Sequence, residues 1–464
     1  MIFHKHSLHT LCVLIFTLST ILTVFSDSGT IGINYGRIAD NLPPPQQVVQ
    51  LLKEQGITKA KIFDADATVL SAFSGSGISI TVAIPNEQLS AAASDQSYTD
   101  TWIQSNILPH HPNTLIESIA VGNEVFVDPG NTTEYLVPAM NNLYASLAKY
   151  DVASSIKISS PIALSALETS YPSSSGSFKP DLVEPVIRPM LQFLNKTSSF
   201  LMVNAYPFFA YTDNADTISL DYALFRDNSG NVDPNNGLVY KNLLDAQIDA
   251  VYAAMSKLGF ENMIRIVVTE TGWPSKGDED EIGANEENAA AYNGNLMRRT
   301  VSGGGTPMRP DEPLDVFLFA IFNENQKPGP VSERNYGLFY PDMQRVYDVP
   351  LASGELNRSK IQVTASAEAK PPSGGGVGES WCVANENIGT AKLQEALDYA
   401  CGQGRGDCRL IQPGATCHNL SSLVDRASYV FNSYYQRNER RSGTCDFGGT
   451  AYVVTQRPNF GGCE

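Results

Sequence analysis

Eight short β-branched runs, each followed by a longer stretch of helical periodicity, constrain what this chain can fold into more than any other feature. The runs are Ile31–Tyr35, Ala60–Phe63, Ile80–Ile84, Ile116–Val121, Ile156–Ser160, Phe200–Ala205, Ile264–Thr269 and Val316–Phe322. Eight strands alternating with helices over roughly 250 residues or more is the pattern of a (β/α)8 TIM barrel, an α/β fold. Two of the helices are legible in detail. Leu244, Ile248, Val251, Tyr252, Met255 and Leu258 form one apolar stripe, and Leu136, Met140, Leu143 and Leu147 form another. A doubly wound open sheet gives similar local patterns, but no Gly-x-Gly-x-x-Gly follows the first run and the count of eight favours closure.

The barrel does not use the whole chain of 464 residues. The N-terminus carries His4-Lys5-His6, an apolar run from Leu11 to Val24, then small and polar residues around Ser26, which reads as a secretory signal peptide over 1–26. A signal anchor needs roughly 18 apolar residues, and this run is interrupted by Thr17, Ser19, Thr20 and Thr23. Of the seven cysteines, Cys12 lies in that leader and Cys382, Cys401, Cys408, Cys417, Cys445 and Cys463 cluster near the end. An even set without a Cys-x-x-Cys pair indicates disulfides rather than a metal site. The stretch 364–380, with Lys370-Pro371-Pro372 and Gly374-Gly375-Gly376, reads as a linker. The expected organisation is therefore a leader, a barrel over 27–363, the linker, and a smaller disulfide-rich domain over 381–464. Sequons at Asn131, Asn195, Asn357 and Asn419 agree with export. The chain ends without the hydrophobic tail of a lipid-anchor signal, so a secreted protein of the extracellular space or cell wall, with no membrane anchor, is expected.

Charge narrows the partners. With 32 Lys+Arg against 49 Asp+Glu the formal net charge is −17, which disfavours nucleic acid and anionic membranes and leaves an uncharged polysaccharide compatible. After the leader the only histidines are His110, His111 and His418, and neither His-Glu-x-x-His nor Gly-x-Ser-x-Gly occurs, so zinc-peptidase and serine-esterase chemistry lack support.

Two glutamates fall at strand ends. Glu124 follows the fourth run in Ala120-Val121-Gly122-Asn123-Glu124, and Glu270 ends the seventh in Val268-Thr269-Glu270-Thr271-Gly272-Trp273-Pro274. Both belong at the C-terminal mouth of a barrel, where active sites of this fold are built. A lone glutamate at a strand end is ordinarily a surface charge; a pair on different strands can supply the acid and the opposing carboxylate of glycoside hydrolysis.

Here the chain resembles the plant β-1,3-glucanases of glycoside hydrolase family 17. The resemblance rests on Ile33-Asn34-Tyr35-Gly36, Gly122-Asn123-Glu124, Val203-Asn204-Ala205-Tyr206-Pro207-Phe208-Phe209, Thr269 to Pro274, and Phe322-Asn323-Glu324-Asn325-Gln326-Lys327. It implies a retaining endo-hydrolase of β-1,3-glucan with Glu124 as acid/base and Glu270 as nucleophile. It further implies that Glu324 and Lys327 form a charged pair beside the nucleophile, for which a plain structural salt bridge is an equally weighted reading. Asn123 is placed to bond a sugar hydroxyl. Tyr35, Tyr206, Phe208 and Trp273 could face pyranose rings; only Tyr35 and Tyr206, in the matched motifs, are kept as binding candidates, since aromatics are more often core. The C-terminal region, through Trp381-Cys382-Val383-Ala384, Ala400-Cys401-Gly402 and Cys445-Asp446-Phe447-Gly448-Gly449, is similar to the β-1,3-glucan-binding modules of family 43. That likeness implies the pairings Cys382–Cys445, Cys401–Cys408 and Cys417–Cys463. Six cysteines allow 15 pairings, and spacing alone selects none. A monomer needing no metal or other cofactor is expected. The competing readings are a mixed-linkage β-1,3-1,4-glucanase and a non-catalytic callose-binding wall protein.

Overall fold

The computed structural model describes residues 28–351 and, toward the C-terminus, 381–385, 389–402, 422–437 and 450–454 with Cys408, Ile411, Cys445, Phe447. The leader over 1–26, the linker over 364–380, the sequons Asn357 and Asn419, and the pair Cys417–Cys463 lie outside the described residues. The chain divides into two compact units, Met1–Ser366 and Ala367–Glu464.

The larger unit is built on nine parallel strands: β1 (Ile31–Asn34), β2 (Lys59–Lys61), β3 (Ser79–Ile84), β4 (Leu115–Val121), β5 (Lys157–Ser159), β6 (Pro161–Ala163), β7 (Leu201–Asn204), β8 (Ile266–Thr271) and β9 (Asp315–Leu318). Their order is β5-β4-β3-β2-β1-β9-β8-β7-β6. Only Ser160 separates β5 from β6, so the segment 157–163 pairs with β4 through its first half and with β7 through its second. Counted as one interrupted strand, it joins the two ends of the order and closes the barrel with eight. The first and last strands meet through Ile31↔Val316 and Ile33↔Leu318. The final run is shorter than its sequence suggests. Beyond Leu318 the chain leaves the ladder, and Phe322 forms an isolated bridge to Phe339.

Around the strands pack helices whose apolar stripes face inward, among them α1 (Pro45–Glu54), α2 (Leu136–Lys149), α3 (Leu243–Lys257) and α4 (Glu286–Ser302). Leu136, Met140, Leu143 and Leu147 of α2 are fully buried, as are Leu244 and Ile248 of α3. Asn242 caps α3 by accepting the Asp245 N–H at 2.8 Å; Leu258 falls just past the helix end and is half-buried. Asn131 and Asn195 are exposed. Among the described residues, no helix is long and apolar enough to cross a membrane.

In the smaller unit, β10 (Trp381–Ala384) pairs antiparallel with β11 (Ala451–Val454), beside α5 (Thr390–Gly402) and α6 (Leu423–Arg437). Disulfides join Cys382 to Cys445 and Cys401 to Cys408. The core of this unit takes Ala427, Val430, Phe431 and Tyr435 from α6, and Phe447 stacks on Phe431 with ring centroids 4.1 Å apart. Ser433 and Tyr434 are only half-buried, while residues 427–431 and Tyr435 face the core. The Cys382 and Ala384 N–H groups donate to Asn432 Oδ1 (3.1 Å) and Ser428 Oγ (2.9 Å).

One buried acid makes the barrel's stability depend on pH. Asp249 of α3 is fully buried and accepts the Met308 N–H at 2.8 Å. Burial pushes its carboxyl from 3.8 up to about 6. A raised folded-state value stabilises the protein below the unfolded value, and that contribution is lost as pH climbs through the folded one. The loss by pH 7 is about 3 kcal/mol. Asp249→Asn keeps an acceptor for Met308 and removes the titration. Its melting temperature relative to wild type is expected to rise by several degrees between pH 4 and pH 7; an equal offset at both pH values would contradict the assignment.

Candidate active site

The mouth of the barrel collects side chains from four strand ends. After β4 the backbone turns sharply: Gly122 has φ +65° and Glu124, unusually for a residue with a side chain, has φ +51°. Two contacts hold that turn. The Glu124 N–H donates to the Pro161 carbonyl of β6 at 3.0 Å. The Asn86 side chain brackets the Asn123 peptide, accepting its N–H at 2.8 Å and donating to its carbonyl at 3.0 Å. A Cβ at Gly122 would lie 2.6 Å from Asn86 Oδ1, so the bracket and the glycine require each other.

The Glu124 carboxyl points toward β7, where Asn204 Nδ2 donates to Oε1 at 2.9 Å. Thr269 Oγ1 donates to Asn204 Oδ1 at 2.9 Å, which fixes which end of that amide faces Glu124. Burial raises the Glu124 carboxyl above its ordinary value; the nearby Glu270 charge adds to the rise, and Asn204, Lys61 and Lys327 oppose it.

Glu270, in β8, is buried with both oxygens engaged. Lys61 Nζ of β2 lies 2.5 Å from Oε1, and Tyr206 donates its hydroxyl to Oε2 at 3.0 Å. The Lys61 side chain is 1% exposed. Its burial lowers the ammonium's value, against which Glu270 pulls upward. Lys61 also reaches Asn123 Oδ1 at 3.4 Å, and Asn204 Nδ2 lies 3.4 Å from that same oxygen. A polar chain thus runs from Glu124 through Asn204, Asn123 and Lys61 to Glu270.

An open cleft passes over these groups in two lobes. One, about 540 Å³, is lined by Glu124, Glu270, Ser165, Phe209 and Tyr336 among others; the second, about 450 Å³, by Tyr35, Arg37, Phe63 and Glu324. Both include Asn123, Glu270, Phe319 and Lys327, so Glu270 lies at their junction while Glu124 lines only the larger.

Some sequence expectations change here. Lys327 pairs through Nζ with Glu333 at 2.8 Å rather than with Glu324, and it covers the Phe319 ring at 4.2 Å. Glu324 instead accepts the Ile38 N–H at 2.8 Å, and burial raises its carboxyl. The cation against Glu270 is Lys61, which lies inside the second β-branched run, Ala60–Phe63. Tyr206 lines the larger lobe, where its hydroxyl meets Glu270 and its ring packs edge-on against Phe319 and Tyr336. Tyr35 is buried edge-on to Phe322 yet borders the second lobe. Phe208 and Trp273 are fully buried. Among the described residues, no cluster of His, Cys, Asp and Glu is suited to a metal ion.

Residues 31–351 match the family of glycosyl hydrolases family 17, more than half the chain. The chain belongs to that family. Residues 380–452 match the X8 domain. Over 454 residues this family 17 chain is 41% identical to Glucan endo-1,3-beta-glucosidase 13 of Arabidopsis thaliana, spanning 97% of this chain and 88% of the relative. Glucan endo-1,3-beta-D-glucosidase of Olea europaea is 38% identical, spanning 94% and 92%. Among solved structures, CJP38, a β-1,3-glucanase and allergen of Cryptomeria japonica pollen, superposes with a TM-score of 0.67 at 42% identity, covering 70% of this chain and 99% of its own.

The Asn86 bracket is testable by itself. Asn86→Ala strips both bonds from the Asn123 peptide and is expected to lower the unfolding free energy by about 1–3 kcal/mol, read by denaturant titration. An unchanged midpoint would show that the turn holds itself.

Proposed function

We propose that this family 17 protein is a secreted endo-β-1,3-glucanase that cleaves internal bonds of β-1,3-glucans such as callose with retention of configuration. Glu124 is the acid/base and Glu270 the nucleophile. The observation that carries this reading is the unequal setting of two converging carboxyls. Glu270 receives an ammonium and a phenol hydroxyl, partners that suit a carboxylate, while Glu124 is raised by burial and by Glu270 itself. That difference separates an attacking carboxylate from a proton donor.

In the first step Glu270 attacks the anomeric carbon as Glu124 gives its proton to the leaving oxygen. In the second, Glu124 takes a proton from water, the water oxygen attacks the same carbon, and Glu270 leaves as a carboxylate. Asn204 holds the Glu124 carboxyl in place through both. The relatives' names, Glucan endo-1,3-beta-glucosidase 13 and 12, support β-1,3-linked substrate over mixed-linkage glucan. The two intact glutamates disfavour a purely binding role.

For the X8 region we propose glucan binding, with the barrel active without it. A solved β-1,3-glucanase aligns over 99% of its own length with 70% of this chain, which supports a barrel that folds alone. Tethering raises the local concentration of the cleft at an insoluble polymer and leaves the reacting atoms untouched. Export is supported by the leader pattern and by the two disulfides.

Glu124→Gln and Glu270→Gln are each expected to stay folded and to lose about 10²-fold activity or more on linear β-1,3-glucan, followed by reducing-sugar release. Wild type should release far less from mixed-linkage glucan, and proton NMR should show the β-anomer first; an initial α-anomer would refute retention. Activity requires protonated Glu124, so the alkaline fall of kcat/KM should lie above the ordinary glutamate value of about 4.3. A chain ending near Ala369 should keep its activity on soluble glucan and lose retention on insoluble glucan.

A further inference from the structure

We infer that Lys61 is the fixed counter-charge of the whole catalytic cycle, balancing Glu270 before the glycosyl–enzyme bond forms and Glu124 while it exists. This rests on the roles assigned to the two glutamates above.

The argument is one of charge conservation in a buried place. The Lys61 side chain is 1% exposed and its Nζ faces Glu270 Oε1 at 2.5 Å, so water does not supply its counter-ion. In the resting enzyme one cation faces one anion, with Glu124 neutral. When Glu270 attacks, the glycosidic bond breaks and the Glu124 proton leaves with the departing alcohol. Glu270 becomes a neutral ester and Glu124 an anion. The negative charge has moved from one carboxyl to the other while Lys61 has stayed. Hydrolysis moves it back: water bonds to the anomeric carbon, its proton goes to Glu124, and Glu270 departs with the electron pair. At every stage one carboxylate of the pair is ionised, and Lys61 is joined to it either directly or through two amides, so the site never holds an isolated buried ion, which would be strongly unfavourable.

The geometry suits this exchange. Asn123 Oδ1 lies 3.4 Å from Lys61 Nζ and 3.4 Å from Asn204 Nδ2, which in turn holds Glu124 Oε1 at 2.9 Å. Lys61 therefore reaches Glu270 directly and is linked to Glu124 through one amide oxygen and one amide N–H. The other charged or titratable groups around it have their own partners. Tyr206 donates to Glu270, Glu324 accepts the Ile38 N–H, and Lys327 is paired with Glu333. The ring of Phe63 lies 4.3 Å from Nζ and adds a weak attraction without a charge. Lys61 is thus a positioning residue that acts through both glutamates.

The test compares full-length Lys61→Met and Lys61→Arg with wild type, using a β-1,3-linked oligosaccharide that carries a nitrophenyl leaving group. With so good a leaving group, kcat reports breakdown of the glycosyl–enzyme and kcat/KM its formation. Lys61→Met should slow both steps by about 10²-fold and move the alkaline limb of the kcat/KM pH profile, set by Glu124, up by about one unit, since Glu124 no longer has the cation that favours its anion. Lys61→Arg should return that limb to its wild-type position. If Lys61→Met fails to fold by circular dichroism, Lys61→Gln serves with the same readouts. Slowing with an unmoved alkaline limb would mean a purely structural lysine, and slowing of breakdown alone, the step in which Glu270 regains its charge, would mean that Lys61 serves Glu270 only; either overturns the proposal. Failure of the underlying reading is seen separately, as an α-product from wild type or as an active Glu270→Gln.

Discussion

A parallel barrel closes only if every strand finds a partner on both edges, and here the fifth strand meets that condition by breaking. Residues 157–159 continue the ladder from β4, the chain shifts at the buried Ser160, and residues 161–163 take up the pairing with β7. The Pro161 carbonyl just past the break receives the N–H of Glu124 from the turn after the neighbouring β4. Closure of the barrel and support of the left-handed turn at Glu124 are therefore the same local event.

Above that ring the mouth is polar, and its polar groups are tied to one another. The Asn34 amide donates to the carbonyl of Thr269 and reaches those of Phe317 and Leu318, joining β1 to β8 and β9 below the site. Thr269 orients Asn204, Asn204 orients Glu124, and Lys61 and Tyr206 between them occupy both oxygens of Glu270. Groups locked in this way need little reorganisation when charge moves, which is the physical basis of electrostatic preorganisation. Crowding adds to the rigidity. A Cβ on Gly36 would sit 2.3 Å from a Glu324 oxygen, so the turn after β1 passes as close to that carboxyl as a backbone can.

What the sequence disclosed followed from how local each signal is. The strand runs and the stripes of α2 and α3 are periodic within a single segment, so they were readable, apart from the ladder ending at Leu318 and the break at Ser160. Glu124 and Glu270 stood out because each ends a strand run. Lys61 was concealed inside one, although a signal existed. Barrel strands are buried on both faces, and in Lys59-Ala60-Lys61-Ile62-Phe63 the alternation places Lys61 opposite the fully buried Ala60 and Ile62. A lysine inside such a strand requires a carboxylate, and Glu270 is the one it meets. The Asn86 bracket left no comparable trace, since it joins two turns 37 positions apart. The family resemblance implies a Glu324–Lys327 pair, whereas the loop carries the Lys327 ammonium to Glu333.

The smaller unit solves a different problem with the same economy of side chains. A two-stranded sheet has two edges, and β10 turns one of them toward α6, where Ser428 and Asn432 accept the N–H groups of Ala384 and Cys382. Those are the groups through which a strand from another molecule would dock. With both already satisfied inside the same unit, copies crowded on a surface cannot extend the sheet from one to the next at these positions.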